Sequence, residues 1–149
     1  MKVVTNYLAG VQLISTGEAF MVSKKAGIDL GVAYEAIRIS SGNSFVHETE
    51  GQVILNGSYN INFTMDLVVK DVGLFDALAR KLDVPLELSP LLVKVFEDGR
   101  ERYGDREFSP NVIRRLEEAT GLDVRAPGFP AEIVDDEPEA PGYEVVPKQ

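Results

Sequence analysis

Residues 1–25 read MKVVTNYLAGVQLISTGEAFMVSKK, and the architecture turns on them. The apolar residues Val3, Val4, Tyr7, Leu8, Val11, Ile14, Ala19, Phe20 and Val22 recur mostly three or four apart, the spacing of a buried helical stripe. No proline interrupts the run, and Gly27, just past Lys24 and Lys25, is a left-handed stop signal. The spacing predicts one long N-terminal helix. Lys2 and Asn6 lie four apart, so they project from one face of its first turns. A lysine at a helix N-terminus meets the positive end of the dipole, which disfavours the ammonium and suits general acid–base work. The plain alternative is an exposed lysine on a fraying end.

The chain has 149 residues, 44% of them hydrophobic and 26% charged, enough for one domain with a real core. Fifteen basic residues against twenty-four acidic ones give a net charge of −9, which argues against nucleic acid or an anionic membrane as partner. A local cationic pocket for a small anion remains open. The chain has no cysteine, so disulfides, thiolate metal sites and cysteine nucleophiles are excluded. Neither a signal pattern nor a span-length apolar run is present, and the expected setting is the cytoplasm.

Downstream, Asp29 is placed to cap a second helix through Ala33, Ala36 and Ile37, which the turn residues Ser40-Ser41-Gly42-Asn43 stop. From Ser44 a shorter helix is expected to bury Phe45, Val46, Val53 and Ile54. Here the signals conflict. Val53-Ile54-Leu55, then Asn56-Gly57, then Tyr59, Ile61 and Phe63 alternating with polar residues, also describe a β-hairpin. A lone two-stranded ribbon in a helical chain is marginal, which weighs against it. Thr64 precedes a clear helical stripe of Met65, Val68, Val69, Val72, Phe75, Leu78, Ala79 and Leu82. Ser89-Pro90 and Ser109-Pro110 each read as helix starts, the second closing at Gly121. Beyond Leu122, prolines 127, 130, 138, 141 and 147 and the acids around Asp135 preclude an ordinary helix. The expected organisation is a helical domain over residues 1–122 and an extended or disordered acidic tail over 123–149, with Phe129, Ile133 and Tyr143 as docking residues.

Few constellations carry chemistry. His47 is the only histidine, so no histidine metal cluster can form, and its expected role is structural. No metal site is expected. No GxGxxG or Walker sequence exists, so the chain carries no dinucleotide fold of its own. The stretch KDVGLFD, Lys70 to Asp76, is more informative. Asp66 and Lys70 are spaced as an ordinary ion pair, but Gly73 inside a helix costs about 1 kcal/mol against alanine. Close approach of another backbone or a ligand would account for it.

Together these stretches resemble the C-terminal helical domain of the β-hydroxyacid, or 3-hydroxyisobutyrate, dehydrogenase family, which is 6-phosphogluconate dehydrogenase C-terminal-domain-like. Lys2-Val3-Val4-Thr5-Asn6 matches the KxxxN end of that family's catalytic motif. KDVGLFD is close to its KDLGxAxD cofactor motif, departing at Val72 and Phe75. Glu18 of GEAF, Lys25-Ala26-Gly27-Ile28-Asp29, the SSGNS turn and Phe63 also fit, so the resemblance covers about residues 1 to 121. It implies an all-α, multi-helix bundle organised on the long N-terminal helix, which decides the hairpin question for helices. It further implies an NAD- or NADP-dependent enzyme that oxidises a short hydroxyacid to its semialdehyde. Lys2 would be the catalytic acid–base and Asn6 the substrate-binding residue, while Lys70 and Phe63 would bind cofactor; no metal is implied. The KxxxN lysine favours hydroxyacid enzymes over their imine-reducing relatives. The family's N-terminal Rossmann domain would precede Met1, so the chain alone is expected to be inactive, needing that domain and, as in relatives, forming a homo-oligomer. The alternative expectation is a non-enzymatic helical module that self-associates.

Overall fold

The structure, a computed structural model, describes residues 1–134. Seven α-helices follow in order: α1 (Lys2–Lys25), α2 (Leu30–Arg38), α3 (Phe45–Glu48), α4 (Glu50–Asn56), α5 (Met65–Lys81), α6 (Leu88–Tyr103) and α7 (Arg114–Thr120). A 3-10 helix, Ser109–Ile113, leads into α7. The described residues hold no strand, only one antiparallel bridge between Thr64 and Phe108. The fold is all-α, built around the long first helix.

α1 runs through the middle of the bundle and ends as expected. Gly27 takes φ +79, its N–H reaches the Lys24 carbonyl, and the Ile28 N–H reaches that of Ser23. The buried stripe matches the apolar one read from the sequence only in part: Phe20 is enclosed and Tyr7, Val11 and Ile14 pack on the core. Gly10, Leu13, Thr16, Gly17, Phe20 and Met21 are buried, whereas Leu8 and Val22 are exposed. Close approach explains the difference. A Cβ on Gly10 would lie 3.3 Å from both Leu92 and Phe96 of α6, and one on Gly17 would lie 2.2 Å from Ile113 Cδ1. α1 buries a face whose smallest residues let its neighbours in.

The ambiguous stretch is helical. Val53, Ile54 and Leu55 are all 0% exposed, which an edge ribbon alternating between core and solvent cannot achieve. Gly57 then ends α4 at φ +92, so Asn56-Gly57 serves as a helix stop. The helix expected from Ser44 is broken at Thr49 (φ −106, ψ −75), and its first residue, Phe45, is 81% exposed. Ser44 does cap it, accepting the His47 N–H. His47 is enclosed, with Nε2 2.9 Å from the Tyr34 carbonyl and its ring stacked on Tyr34. α6 begins one residue before Ser89, whose hydroxyl donates to Asp76 Oδ1 at 3.0 Å instead of capping.

Past α7 the chain lies extended on the bundle. Val124 is fully buried, and its N–H donates to Glu117 Oε1 at 2.8 Å. Arg125 Nη1 reaches the same oxygen at 2.6 Å, while the Tyr59 hydroxyl donates to Oε2 at 2.8 Å. The buried Glu117 carboxylate is thus fully partnered. Phe129 packs edge-on against Tyr34, and its carbonyl accepts from Asn56 Nδ2. Residues 135–149, with Tyr143 and most of the acidic run, lie outside the described residues.

Two glycine substitutions test this packing. Ile113 is itself 1% exposed and has nowhere to go, so Gly17→Ala should destabilise the chain by about 1–3 kcal/mol. A Cβ on Gly73 meets nothing within 4 Å, so Gly73→Ala should stabilise it by about 0.5–1 kcal/mol. Urea midpoints of the two variants should therefore move in opposite directions.

Candidate active site

α1 and α5 pack side by side, and the ring of Tyr7 stacks on that of Phe75 with centroids 4.0 Å apart. That stack fixes the register of the residues one turn before it. Lys2 and Asn6 leave the same face of α1, and Asp71 on α5 receives them. Lys2 Nζ donates to Asp71 Oδ2 at 3.1 Å, and Asn6 Nδ2 donates to the same oxygen at 2.6 Å. Lys70 Nζ stands 3.9 Å from Asp71 Oδ1. Three of the residues singled out in the sequence, Lys2, Asn6 and Lys70, are brought to one carboxylate. Asp66, spaced to pair with Lys70, instead accepts from Arg106 and from the Thr64 hydroxyl.

Asp71 was not among the residues singled out. Its side chain is 2% exposed, against 70% for Lys2 and 54% for Lys70, so a buried anion faces two largely exposed lysines. Burial pushes its carboxyl up, but the hydrogen bonds from Lys2 and Asn6 and the two lysine charges outweigh that and leave it below the ordinary aspartate value. The sequence did carry a signal. Position 71 is three past Val68 and four before Phe75, on the buried face of α5, where an acid needs partners.

The fourth singled-out residue, Phe63, stands before α5 in the loop that the Ser109 N–H ties down through the Phe63 carbonyl at 2.8 Å. Its ring lines a cavity of ≈ 180 Å³ together with Asn6, Ala9, Leu13, Glu50 and Ser109. Glu50 is the second residue that the sequence reading passed over. One of its carboxyl oxygens, Oε2, is buried with no hydrogen-bond partner among the described residues. Burial alone pushes its carboxyl up to about 7. The arrangement offers an amide and a carboxyl in a largely apolar wall, with the Lys2 ammonium held on the same aspartate oxygen as that amide.

The two acids act oppositely on stability. Asp71 stabilises the fold above the unfolded value of 3.8, and that contribution is lost as pH falls. Glu50 keeps its proton in the folded chain between 4.5 and about 7, where the unfolded chain has released it, so stability falls as pH rises through that window. The loss from Glu50 should be on the order of 3 kcal/mol. Glu50→Gln should flatten the decline and exceed the parent in stability above the window, as read from urea unfolding on either side of it.

The profile of a protein family described as NAD-binding of NADP-dependent 3-hydroxyisobutyrate dehydrogenase matches residues 1–116. The chain is 34% identical over 125 residues to 2-(hydroxymethyl)glutarate dehydrogenase of Eubacterium barkeri, covering 83% of this chain and 42% of that protein. It is also 34% identical over 114 residues to L-threonate dehydrogenase of Haemophilus influenzae, covering 76% and 38%. The crystal structure of a 3-hydroxyisobutyrate dehydrogenase from Salmonella typhimurium superposes with a TM-score of 0.71 at 31% identity, over 76% of this chain and 40% of that one. The chain therefore spans about two-fifths of the length of these relatives. No helix among the described residues is long and apolar enough to cross a membrane. A profile match over more than three-quarters of the residues places this chain in the 3-hydroxyisobutyrate dehydrogenase family.

Proposed function

We propose that the chain is the C-terminal, catalytic and substrate-facing domain of a cytoplasmic NAD(P)-dependent β-hydroxyacid dehydrogenase that oxidises a short hydroxyacid to its semialdehyde. The observation that carries this reading is the convergence of Lys2 and Asn6 on Asp71 at 3.1 and 2.6 Å. Lys2 takes the proton from the substrate hydroxyl during oxidation and returns it in the reverse direction. Asp71 holds the lysine, and the Asn6 amide, anchored on the same oxygen, gives the lysine a fixed neighbour against which substrate is oriented. Sharing one acceptor keeps the two groups in register through the helix pair, not through their own rotamers.

A nicotinamide dinucleotide, when bound, supplies the hydride acceptor. Features on the outer side of α5 fit such a group. Lys70 presents a half-exposed ammonium to an anion, and Gly73, three residues on, leaves the helix surface bare within 4 Å. An uncovered glycine beside a lysine suits close approach of a phosphate-bearing ligand or of the domain that carries it. Phe63 would pack at the substrate end of that contact, since it shares the cavity wall with Asn6.

Turnover is tested by joining the chain to its upstream coding sequence and following nicotinamide reduction with 3-hydroxyisobutyrate. Lys2→Ala in that longer protein should abolish turnover and leave dinucleotide affinity nearly unchanged. Unaltered turnover would remove Lys2 from the chemistry.

A second reading, self-association without catalysis, is favoured by one observation. Leu74 and Leu78 on α5 and Leu82 just past its end repeat every four residues and are all exposed, at 51%, 40% and 62%. Sedimentation should give a dimer or larger species of the 149-residue chain, dispersed by Leu78→Glu. A monomer at every concentration would end this reading.

A further inference from the structure

The cavity beside Asn6 contains a group that the proton transfer does not use. Asn6 and Glu50 are both in its wall, and no lysine, arginine or histidine is. The remaining lining includes Ala9, Leu13, Phe63 and Val68, so the space is apolar apart from a few placed groups. At ≈ 180 Å³ it is below the roughly 300–1,000 Å³ of cofactor-sized pockets and suits a short side chain. Glu50 is in that wall with Oε2 buried and without a partner among the described residues, while the buried acids Asp71, Asp76 and Glu117 all have donors. A carboxyl with one oxygen enclosed and no donor costs stability, and a ligand in the cavity can bring a hydrogen-bond partner to the rest of the group.

We infer that Glu50 is a specificity residue: its carboxyl receives a hydroxyl at the far end of the hydroxyacid, and it excludes substrates whose far end is a second carboxylate. The inference rests on the hydroxyacid reading, since it is the Lys2 end that takes the reacting hydroxyl and so leaves the opposite end for the cavity. A protonated carboxyl both donates to and accepts from a hydroxyl, and the raised value of about 7 keeps that form populated at neutral pH. A carboxylate placed in the same space finds no cation in the wall, and it meets a like charge whenever Glu50 gives up its proton. A methyl group fits but leaves Oε2 unpaired.

Four acids that differ only at that end make the test: 3,4-dihydroxybutyrate, 3-hydroxybutyrate, malate and 4-amino-3-hydroxybutyrate, titrated into the 149-residue chain. The readouts are the NMR signals of the Glu50 carboxyl and the Asn6 side-chain amide. The dihydroxy acid should move both and bind about tenfold or more tightly than malate or 3-hydroxybutyrate. Glu50→Gln should keep the dihydroxy acid and regain malate, and Glu50→Leu should lose the preference over 3-hydroxybutyrate while its spectrum stays folded. The inference is overturned by equal binding of malate, by an unchanged order in Glu50→Leu, by tightest binding of the amino acid, or by no response to any of the four. Hydride transfer takes no part in this measurement. A chain that binds in the expected order, yet belongs to an inactive longer protein, keeps the site and loses only the dehydrogenase reading. An active protein without that order loses only the site.

Discussion

Everything in this fold depends on how closely α1 is approached. Gly10 receives Leu92 and Phe96, and Gly17 receives Ile113, at distances that leave no room for a side chain. Helices normally pack about 8–10 Å apart with side chains between them. Removing the side chain at two positions two turns apart lets α6 and the 3-10 helix close on α1 from one side. α5 closes on α1 as well, with Val72 3.5 Å from where a Cβ on Gly10 would lie. There the Tyr7–Phe75 stack at 4.0 Å sets the register, and the first turn of α1 is carried to Asp71. The site is a consequence of core packing two turns further along the same helix.

The buried acids show how the fold manages charge. Glu117 is satisfied by Tyr59, Val124 and Arg125, Asp76 by Ser89 and Arg80, and Asp71 by Lys2 and Asn6. In each case at least one donor comes from a different element, so the carboxylate ties two parts of the chain together and its desolvation is offset by charge-assisted hydrogen bonds. Glu117 thereby holds the segment after α7 onto the bundle. Glu50 breaks the pattern. The wall it shares is apolar apart from Asn6 and Ser109, and burial raises its value with no donor on Oε2 to offset it. A carboxyl in that condition is a weakness in a core and an asset in a binding pocket.

Long, periodic elements were legible in the sequence because their signals agree. The extent of α1, the Asp29 cap of α2, the stripe of α5 and the stop at Gly121 combine apolar spacing with a terminating residue. What was not legible depended on partners. The buried side of α1 is marked by Gly10, Thr16 and Gly17, which no hydrophobic count selects, while Leu8 and Val22 meet the period and face solvent. Val53-Ile54-Leu55 fits either a strand or a helix locally, and only its enclosure on every side distinguishes them. Lys2, Asn6, Lys70 and Phe63 were singled out through the family resemblance, while Asp71 and Glu50 were passed over. Asp71 sits on the buried face of α5, and Glu50 opens α4 four residues before the buried Ile54, so the periodicity that marks the core also points to them.

α5 then divides the chain's tasks between its two sides. Inward, Val68, Val72 and Asp71 contribute to the core and the lysine anchor. Outward, Lys70, Leu74 and Leu78 follow one another every four residues, with the bare surface of Gly73 beside them. A stable domain that spends three exposed leucines and an uncovered helical glycine on one strip gains nothing from them alone, because exposed leucine is not buried and helical glycine costs about 1 kcal/mol against alanine. The strip makes physical sense if something covers it. The relatives are more than twice as long as the matched segment, so covering material exists in their chains. Any surface that covers α5 there also lies over Lys70, whose ammonium touches the far side of the carboxylate that holds Lys2. What docks on the outer strip is therefore coupled, through Asp71, to the Lys2 ammonium on α1.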